Sequence, residues 1–195
     1  MPSARIILAS ASPRRRELLA ELGLSFDVVV PGIDERPWPR EMPASYALRN
    51  AAEKAREVAG RMGPGADLVV VAADTIVVVD GQILEKPADP AHAAQMLRSL
   101  SGRWHEVMTG LCVWHRVNGG FHEQADAVRT GVRFRAVREE EIAAYIATGE
   151  PMDKAGAYAI QGGAAGFVAE TRGSYSNVVG LPLESLRAML AACGT

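Results

Sequence analysis

Lysine is nearly missing from this chain. Of its 21 basic residues only Lys54, Lys86 and Lys154 are lysines; the others are arginines. An ammonium is a compact point charge and a guanidinium a planar fork, so the two are not interchangeable where charge must sit at one place. Each lysine lies beside acids and a helix or turn signal: Glu53-Lys54, Glu85-Lys86-Pro87, Asp153-Lys154-Ala155-Gly156. They are expected to serve a polyanion such as a phosphate chain, against the plainer alternative of residual surface lysines. Cysteine is almost as scarce. Cys112 and Cys193 are far apart and match no CxxC spacing, which reads as reduced, cytosolic thiols, with a bridge between the two left open by the sequence. His92, His105, His115 and His122 form no pair at helical spacing, which argues against a histidine zinc site. A net charge of −2 lacks the basic excess of a general nucleic-acid binder. The longest apolar runs, Leu68 to Ala73 and Ile76 to Val79, fall far short of the roughly 20 residues that cross a bilayer. The N-terminus has no apolar region of signal-peptide length, so a cytoplasmic protein is expected.

What is present is an ordinary globular composition: 195 residues, 48% hydrophobic and 23% charged. That is enough for one substantial core, and the reading is a single domain over residues 1–195. Arg5 to Ala9 reads as a buried strand, and Ser12-Pro13 as the cap and first residue of a helix that stops near Gly23. Phe26 to Val30 reads as a second strand, followed by a proline-rich charged loop to Pro43. A long helix is predicted from about Ala44 to Met62, with Tyr46, Ala51, Ala52, Ala55 and Val58 on its buried side and a stop at Gly63-Pro64-Gly65. Leu68 to Ala73 reads as a central strand ending in Asp74-Thr75. A hairpin is predicted next, Ile76 to Val79 and Gln82 to Leu84 around Asp80-Gly81. Asp89-Pro90 opens a helix with Ala93, Met96, Leu97 and Leu100 on one face. Trp104 to Val117 and Phe121 to Phe134 read as long strands around Asn118-Gly119-Gly120. Glu139 to Thr148 is a predicted helix, Gly149 to Gly166 a functional loop, Phe167 to Ala169 a strand, and Leu183 to Ala192 the last helix. Hairpins mixed with helical crossovers indicate an α/β fold with a mixed sheet.

Three segments carry chemistry. In Ala9-Ser10-Ala11-Ser12-Pro13-Arg14-Arg15-Arg16, a strand feeds a small-residue turn and a helix N-terminus, where free N–H groups favour an anion. Arginines in a first helical turn meet the dipole with the wrong sign, which makes sense if an anion neutralises them. Asp74 follows an apolar strand, where α/β sheets place ligands, and it can ligate a hard cation or orient a water. Glu35 is the second acid, since magnesium takes one or two carboxylates alongside phosphate oxygens. In Gly149 to Gly162, small residues admit a ligand near the backbone, and Gln161 offers an amide that can pair with a base edge. No Walker loop or dinucleotide fingerprint occurs. These parts suit a metal-dependent phosphoanhydride hydrolase acting on a nucleotide.

The same residues resemble the Maf family of nucleoside triphosphate pyrophosphatases. Leu8-Ala9-Ser10-Ala11-Ser12-Pro13-Arg14-Arg15-Arg16-Glu17-Leu18-Leu19 is similar to its opening signature. The likeness continues through Ala73-Asp74-Thr75, Leu84-Glu85-Lys86-Pro87 and Met96 to Gly102, then Thr148 to Gly162 and Val178 to Leu183. The resemblance implies an elongated mixed β-sheet flanked by helices, like that of inosine triphosphate pyrophosphatases, and a homodimer. It implies metal-dependent hydrolysis between the α- and β-phosphates; Asp74 and Glu35 are the expected ligands of the Mg2+ or Mn2+. By motif, Asp74 matches the proposed catalytic base, and Glu35, Lys54 and Lys86 match other positions important for activity. Arg14, Thr75 and Gln161 match positions tied to base choice, within a substrate site that also takes in Ser10, Ser12 and Arg15. The Ser-Pro-Arg-Arg form resembles the dTTP and UTP branch. Ala73 and Ala159 depart from it, standing where glycine is common. A regulator of cell division that binds nucleotide or nucleic acid without turnover is the alternative from another class.

Overall fold

Ile7, Leu8 and Ala9 have no solvent exposure, and neither do Val69 to Ala73. Strands this apolar need cover on both faces. The computed structural model describes residues 4–63, 65, 67–117 and 120–194. The helix stop at Pro64 and the turn at Asn118-Gly119 lie outside the described residues. The strands are β1 (Arg5–Ala9), β2 (Asp27–Val28), β3 (Leu68–Val79), β4 (Gln82–Leu84), β5 (Trp104–Val117), β6 (Gly120–Phe134) and β7 (Val168–Arg172). The helices are α1 (Pro13–Ala20), α2 (Pro43–Arg61), α3 (Pro90–Leu100), α4 (Glu139–Ala147), α5 (Tyr175–Val179) and α6 (Leu183–Ala192). They flank one mixed seven-stranded sheet of order β2-β1-β3-β5-β6-β7, with β4 paired to β3. β1 runs parallel to β2 and β3; the β3–β4 and β6–β7 pairs are antiparallel.

The chain divides into two compact units: Met1–Asp74, Thr109–Val128 and Gly180–Thr195 in the first, Thr75–Met108 and Arg129–Val179 in the second. In the first, the alanine face of α2 (Ala51, Ala52, Ala55, Ala59) packs with Val58 on Ile7, Ala9, Val70, Ala72 and Cys112. Small side chains let this helix approach the sheet closely. At Gly110 on β5 no room is left: a Cβ there would stand 2.1 Å from the Ala47 carbonyl oxygen. In the second unit, His105, Phe134, Tyr158 and Phe167 form an edge-to-face cluster. His105 Nε2 lies 2.8 Å from the Tyr158 hydroxyl, and its Nδ1 is buried without a hydrogen-bond partner among the described residues.

Three departures from the sequence reading stand out. β3 does not end at Asp74-Thr75; it runs on as a single strand through Val79. A carboxylate can sit inside a strand when buried donors meet it, and here they do. The Gly149 to Gly166 segment holds three 3-10 turns, Glu150–Asp153, Ala155–Ala157 and Gly163–Phe167. The short α5 went unread; Asn177 on it is anchored by bonds from Nδ2 to the Val107 carbonyl and Thr130 Oγ1, contacts no local pattern reveals. The remaining elements match the reading within a few residues. Asp80 and Gly81 both have positive φ, as a two-residue hairpin turn requires.

Two outcomes follow from this packing. Gly110→Ala forces backbone movement and should cost about 2–4 kcal/mol in denaturant unfolding; an unchanged midpoint would refute the close approach. Burial, with a smaller contribution from Arg103, pushes His105 down to about 4. The unfolded chain therefore takes a proton below pH ~6.5 that the folded protein refuses until about 4, and stability falls by roughly 3 kcal/mol over that window as pH drops. His105→Gln should flatten that part of the stability–pH profile relative to the wild type.

Candidate active site

The first unit gathers most of the expected site. β1 and β3 are in register with Ala9 opposite Ala72, so Ser10, just past the end of β1, lies near the level of Asp74 inside β3. Ser12 caps α1 by accepting from the Arg15 N–H, and Pro13 takes the first helical position. Ser10 is buried; its Oγ accepts from the Ser12 N–H at 3.1 Å and from Arg15 Nη1 at 3.3 Å. Arg15 Nε donates to the Gly180 carbonyl at 2.8 Å. Arg15 therefore folds back to brace the turn. Burial pulls its guanidinium below the ordinary range, against the attraction of Asp74 and Glu35 and with repulsion from Arg14. Arg14 is half-buried in the same helical turn.

Lys54 is the centre. It projects from α2, 5% exposed, with Nζ 2.7 Å from Asp74 Oδ1 and 3.0 Å from Glu35 Oε2. One ammonium thus joins two carboxylates that come from different parts of the chain. Asn50, four residues earlier and so on the same helical face, donates Nδ2 to Asp74 Oδ2 at 3.1 Å. Both Asp74 oxygens are met. Burial alone would raise the Asp74 carboxyl. The charge and hydrogen bond of Lys54, the charge of Arg15 and the Asn50 amide outweigh that and hold it below the usual range. It stands as an anion at neutral pH. Glu35 stays half-exposed, and its loop is tied to α2: the Tyr46 hydroxyl donates to the Glu35 carbonyl at 2.7 Å, and Arg49 grips both Glu41 oxygens at 2.7 and 2.8 Å. Arg49 also lies over the Trp38 ring.

The remaining expected residues belong to the second unit. Thr75 follows Asp74 on β3 and is half-buried. Lys86 is exposed after β4, with no ion pair among the described residues. Gln161 is exposed between the second and third 3-10 turns. Lys154 pairs with Asp153 and donates to the Glu150 carbonyl, which is a structural duty. The sequence reading missed Asn50, whose one signal is an amide on the apolar face of α2. It took Tyr46 only as core and passed over Gly180.

Asp74 and Glu35 are hard oxygen donors, and the Lys54 ammonium already occupies a cation's place between them. That donor set fits a magnesium-type ion completed by phosphate oxygens and water. No cluster of three or more His, Cys, Asp or Glu able to hold a metal occurs among the described residues. No helix among them is long and apolar enough to cross a membrane.

The fold and site define a class: a mixed-sheet α/β protein with an anion-ready helix N-terminus beside an acidic centre built on a buried lysine. The family model for Maf-like protein matches residues 5–193, and the chain belongs to the Maf family. It is 52% identical over 190 residues to a dTTP/UTP pyrophosphatase of Anaeromyxobacter dehalogenans (strain 2CP-C), covering 97% of this chain and 94% of the relative. It is 55% identical over 183 residues to one of Geobacter sulfurreducens, covering 94% and 93%. It is 51% identical over 178 residues to one of Escherichia coli O157:H7, covering 91% and 87%. A solved nucleoside-triphosphatase, a dITP/XTP pyrophosphatase from Mycobacterium abscessus, is a weak likeness that adds nothing to this assignment: TM-score 0.39, 18% identity, 67% of this chain and 74% of that one.

Removing the central ammonium exposes its electrostatic role. Lys54→Met leaves Asp74 buried with one donor fewer and should cost about 3 kcal/mol or more of stability. Adding Asp74→Asn to that variant should restore part of the loss in a double-mutant cycle; additive losses would contradict the pairing.

Proposed function

We propose that this chain hydrolyses dTTP and UTP to the nucleoside monophosphate and pyrophosphate, a nucleotide-pool cleaning activity. The observation that carries the reading is the Lys54 bridge between Asp74 and Glu35 beside the Ser10–Arg15 turn. Family membership and the relatives' names supply the substrate class. The turn and the α1 N-terminus receive a phosphate through backbone N–H groups, Ser12 and Arg15. A divalent ion held by Asp74 and Glu35 would supply charge neutralisation on the triphosphate when bound. Lys54 and Lys86 stabilise charge on the phosphates and on leaving pyrophosphate. Asp74 orients the attacking water by accepting its hydrogen bond. A carboxyl held below its usual range has little affinity for a proton, so orientation and ion binding suit it better in the resting protein than proton abstraction does. It becomes a better base once a phosphate draws Lys54 away. Thr75, Arg14 and Gln161 select the base. The proposal extends to a homodimer, on the strength of the family resemblance, and to a cytoplasmic location, on the N-terminus and the unpaired cysteines.

A panel of nucleoside triphosphates with Mg2+ or Mn2+, scored for pyrophosphate against orthophosphate, tests the reaction. Pyrophosphate from dTTP and UTP is expected; orthophosphate alone, with diphosphate left behind, refutes the cleavage site, and binding without turnover points to the regulator. Asp74→Asn should lower kcat by about 10²–10⁴-fold. Lys86→Arg should lower kcat/KM by roughly tenfold if a point charge is needed. Near-wild-type turnover in Asp74→Asn would sink both of that residue's roles.

A further inference from the structure

One short hydrogen-bond chain holds the Gln161 turn from both sides. Ala159, two residues before Gln161, donates its backbone N–H to the Tyr145 hydroxyl at 3.1 Å. That hydroxyl donates to Glu150 Oε1 at 3.0 Å. Gly163, two residues after Gln161, donates its N–H to Glu150 Oε2 at 3.1 Å. The carboxylate therefore spends one oxygen on the Tyr145 hydroxyl and the other on the Gly163 N–H, and no cation within ion-pair distance of it is found among the described residues. Tyr145 is itself fixed, with its ring buried edge-on against Phe167 at 5.5 Å. Glu150 is fixed by its N–H to Thr148 Oγ1 and by Lys154 Nζ on its carbonyl.

The fit leaves no slack. A Cβ at Gly162 would fall 1.8 Å from Glu150 Oε1, and one at Gly163 would fall 2.9 Å from the Tyr145 ring. The glycines after Gln161 are thus required by the brace as well as by any ligand. Gln161 itself carries its amide on an exposed side chain. An amide distinguishes donor from acceptor on a base edge only when it is presented in one place. Fixing the backbone on both sides removes most of the freedom that binding would otherwise have to quench.

We propose that Tyr145 and Glu150 are positioning residues for base selection: they hold the backbone at Ala159 and Gly163 so that the Gln161 amide meets the nucleobase in one orientation. The inference rests on the reading above that Gln161 contacts the base. It adds two residues to the specificity apparatus, neither of which touches substrate.

The test compares Tyr145→Phe, Glu150→Gln and Gln161→Ala in the full-length protein, with steady-state kinetics on dTTP, UTP, CTP and dATP. Tyr145→Phe deletes one oxygen and keeps the ring packing, so it carries the test even if Glu150→Gln folds poorly. All three variants should raise KM for the preferred nucleotide and flatten the kcat/KM ratio between best and worst substrates by about tenfold; Tyr145→Phe and Glu150→Gln, which do not touch substrate, should keep kcat within about threefold of wild type. Tyr145→Phe should change selectivity no further in the Gln161→Ala background, since it acts through that residue. A uniform fall in kcat for every nucleotide, with selectivity kept, indicates mere structural damage and overturns the proposal. Wild-type selectivity in Tyr145→Phe, with selectivity lost in Gln161→Ala, overturns the brace and leaves Gln161 as the base reader. Wild-type selectivity in Gln161→Ala removes the base reading itself, and the brace with it.

Discussion

A carboxylate placed inside the most apolar strand of a sheet faces a desolvation penalty of several kcal/mol, and the design of the first unit turns on how that penalty is offset. Asp74 lies within β3, between Val69 to Ala73 and Ile76 to Val79. It is tolerable there only because Lys54 and Asn50 deliver a cation and an amide to its two oxygens from one face of α2. Breaking either partner away leaves a charge or an acceptor stranded in the core. That constraint fixes the rotation of α2 about its axis more firmly than its alanines could, since an alanine face tolerates small turns and a buried ion pair does not.

The same helix organises the rest of the acidic centre. Tyr46 and Arg49 reach outward from α2 to hold the proline-rich loop, and that loop presents Glu35 to Lys54 from the solvent side. Lys54 is therefore shared between a buried acid and a half-exposed one. A site of this kind is preorganised on its inner side and adaptable on its outer side. Arg15 braces the α1 turn through its bond to the Gly180 carbonyl and its contact with Ser10.

The fold was legible in the sequence where local rules act alone. Ser12-Pro13, Asp89-Pro90 and Asp80-Gly81 are capping and turn signals whose physics is confined to a few residues, and the structure uses each of them so. Leu68 to Val79 was harder. An aspartate after an apolar run looks like a strand end, because an unpaired carboxylate would end one. The partners that let the strand continue lie some twenty residues away on a helix. The 3-10 segment from Glu150 onward was legible only as glycine-rich, since its order comes from Tyr145 and Glu150 bonding to particular N–H groups rather than from any repeating pattern.

For the site, residue types and motif order nominated Asp74, Glu35, Lys54, Lys86 and Gln161, because scarce lysines and acids beside strand and turn signals stand out; of these the structure brings Asp74, Glu35 and Lys54 together. What the sequence determined by itself was therefore the parts: which side chains carry charge or hydrogen-bonding groups, and the order in which strands and helices present them. Tertiary structure alone decided their state. It made Lys54 a bridge rather than a free phosphate ligand, kept Asp74 ionised inside a strand, brought in Asn50, and reduced Lys154 to a structural pairing. The reason is that ionisation and hydrogen bonding depend on burial and on partners distant in sequence, and those exist only once the chain has folded.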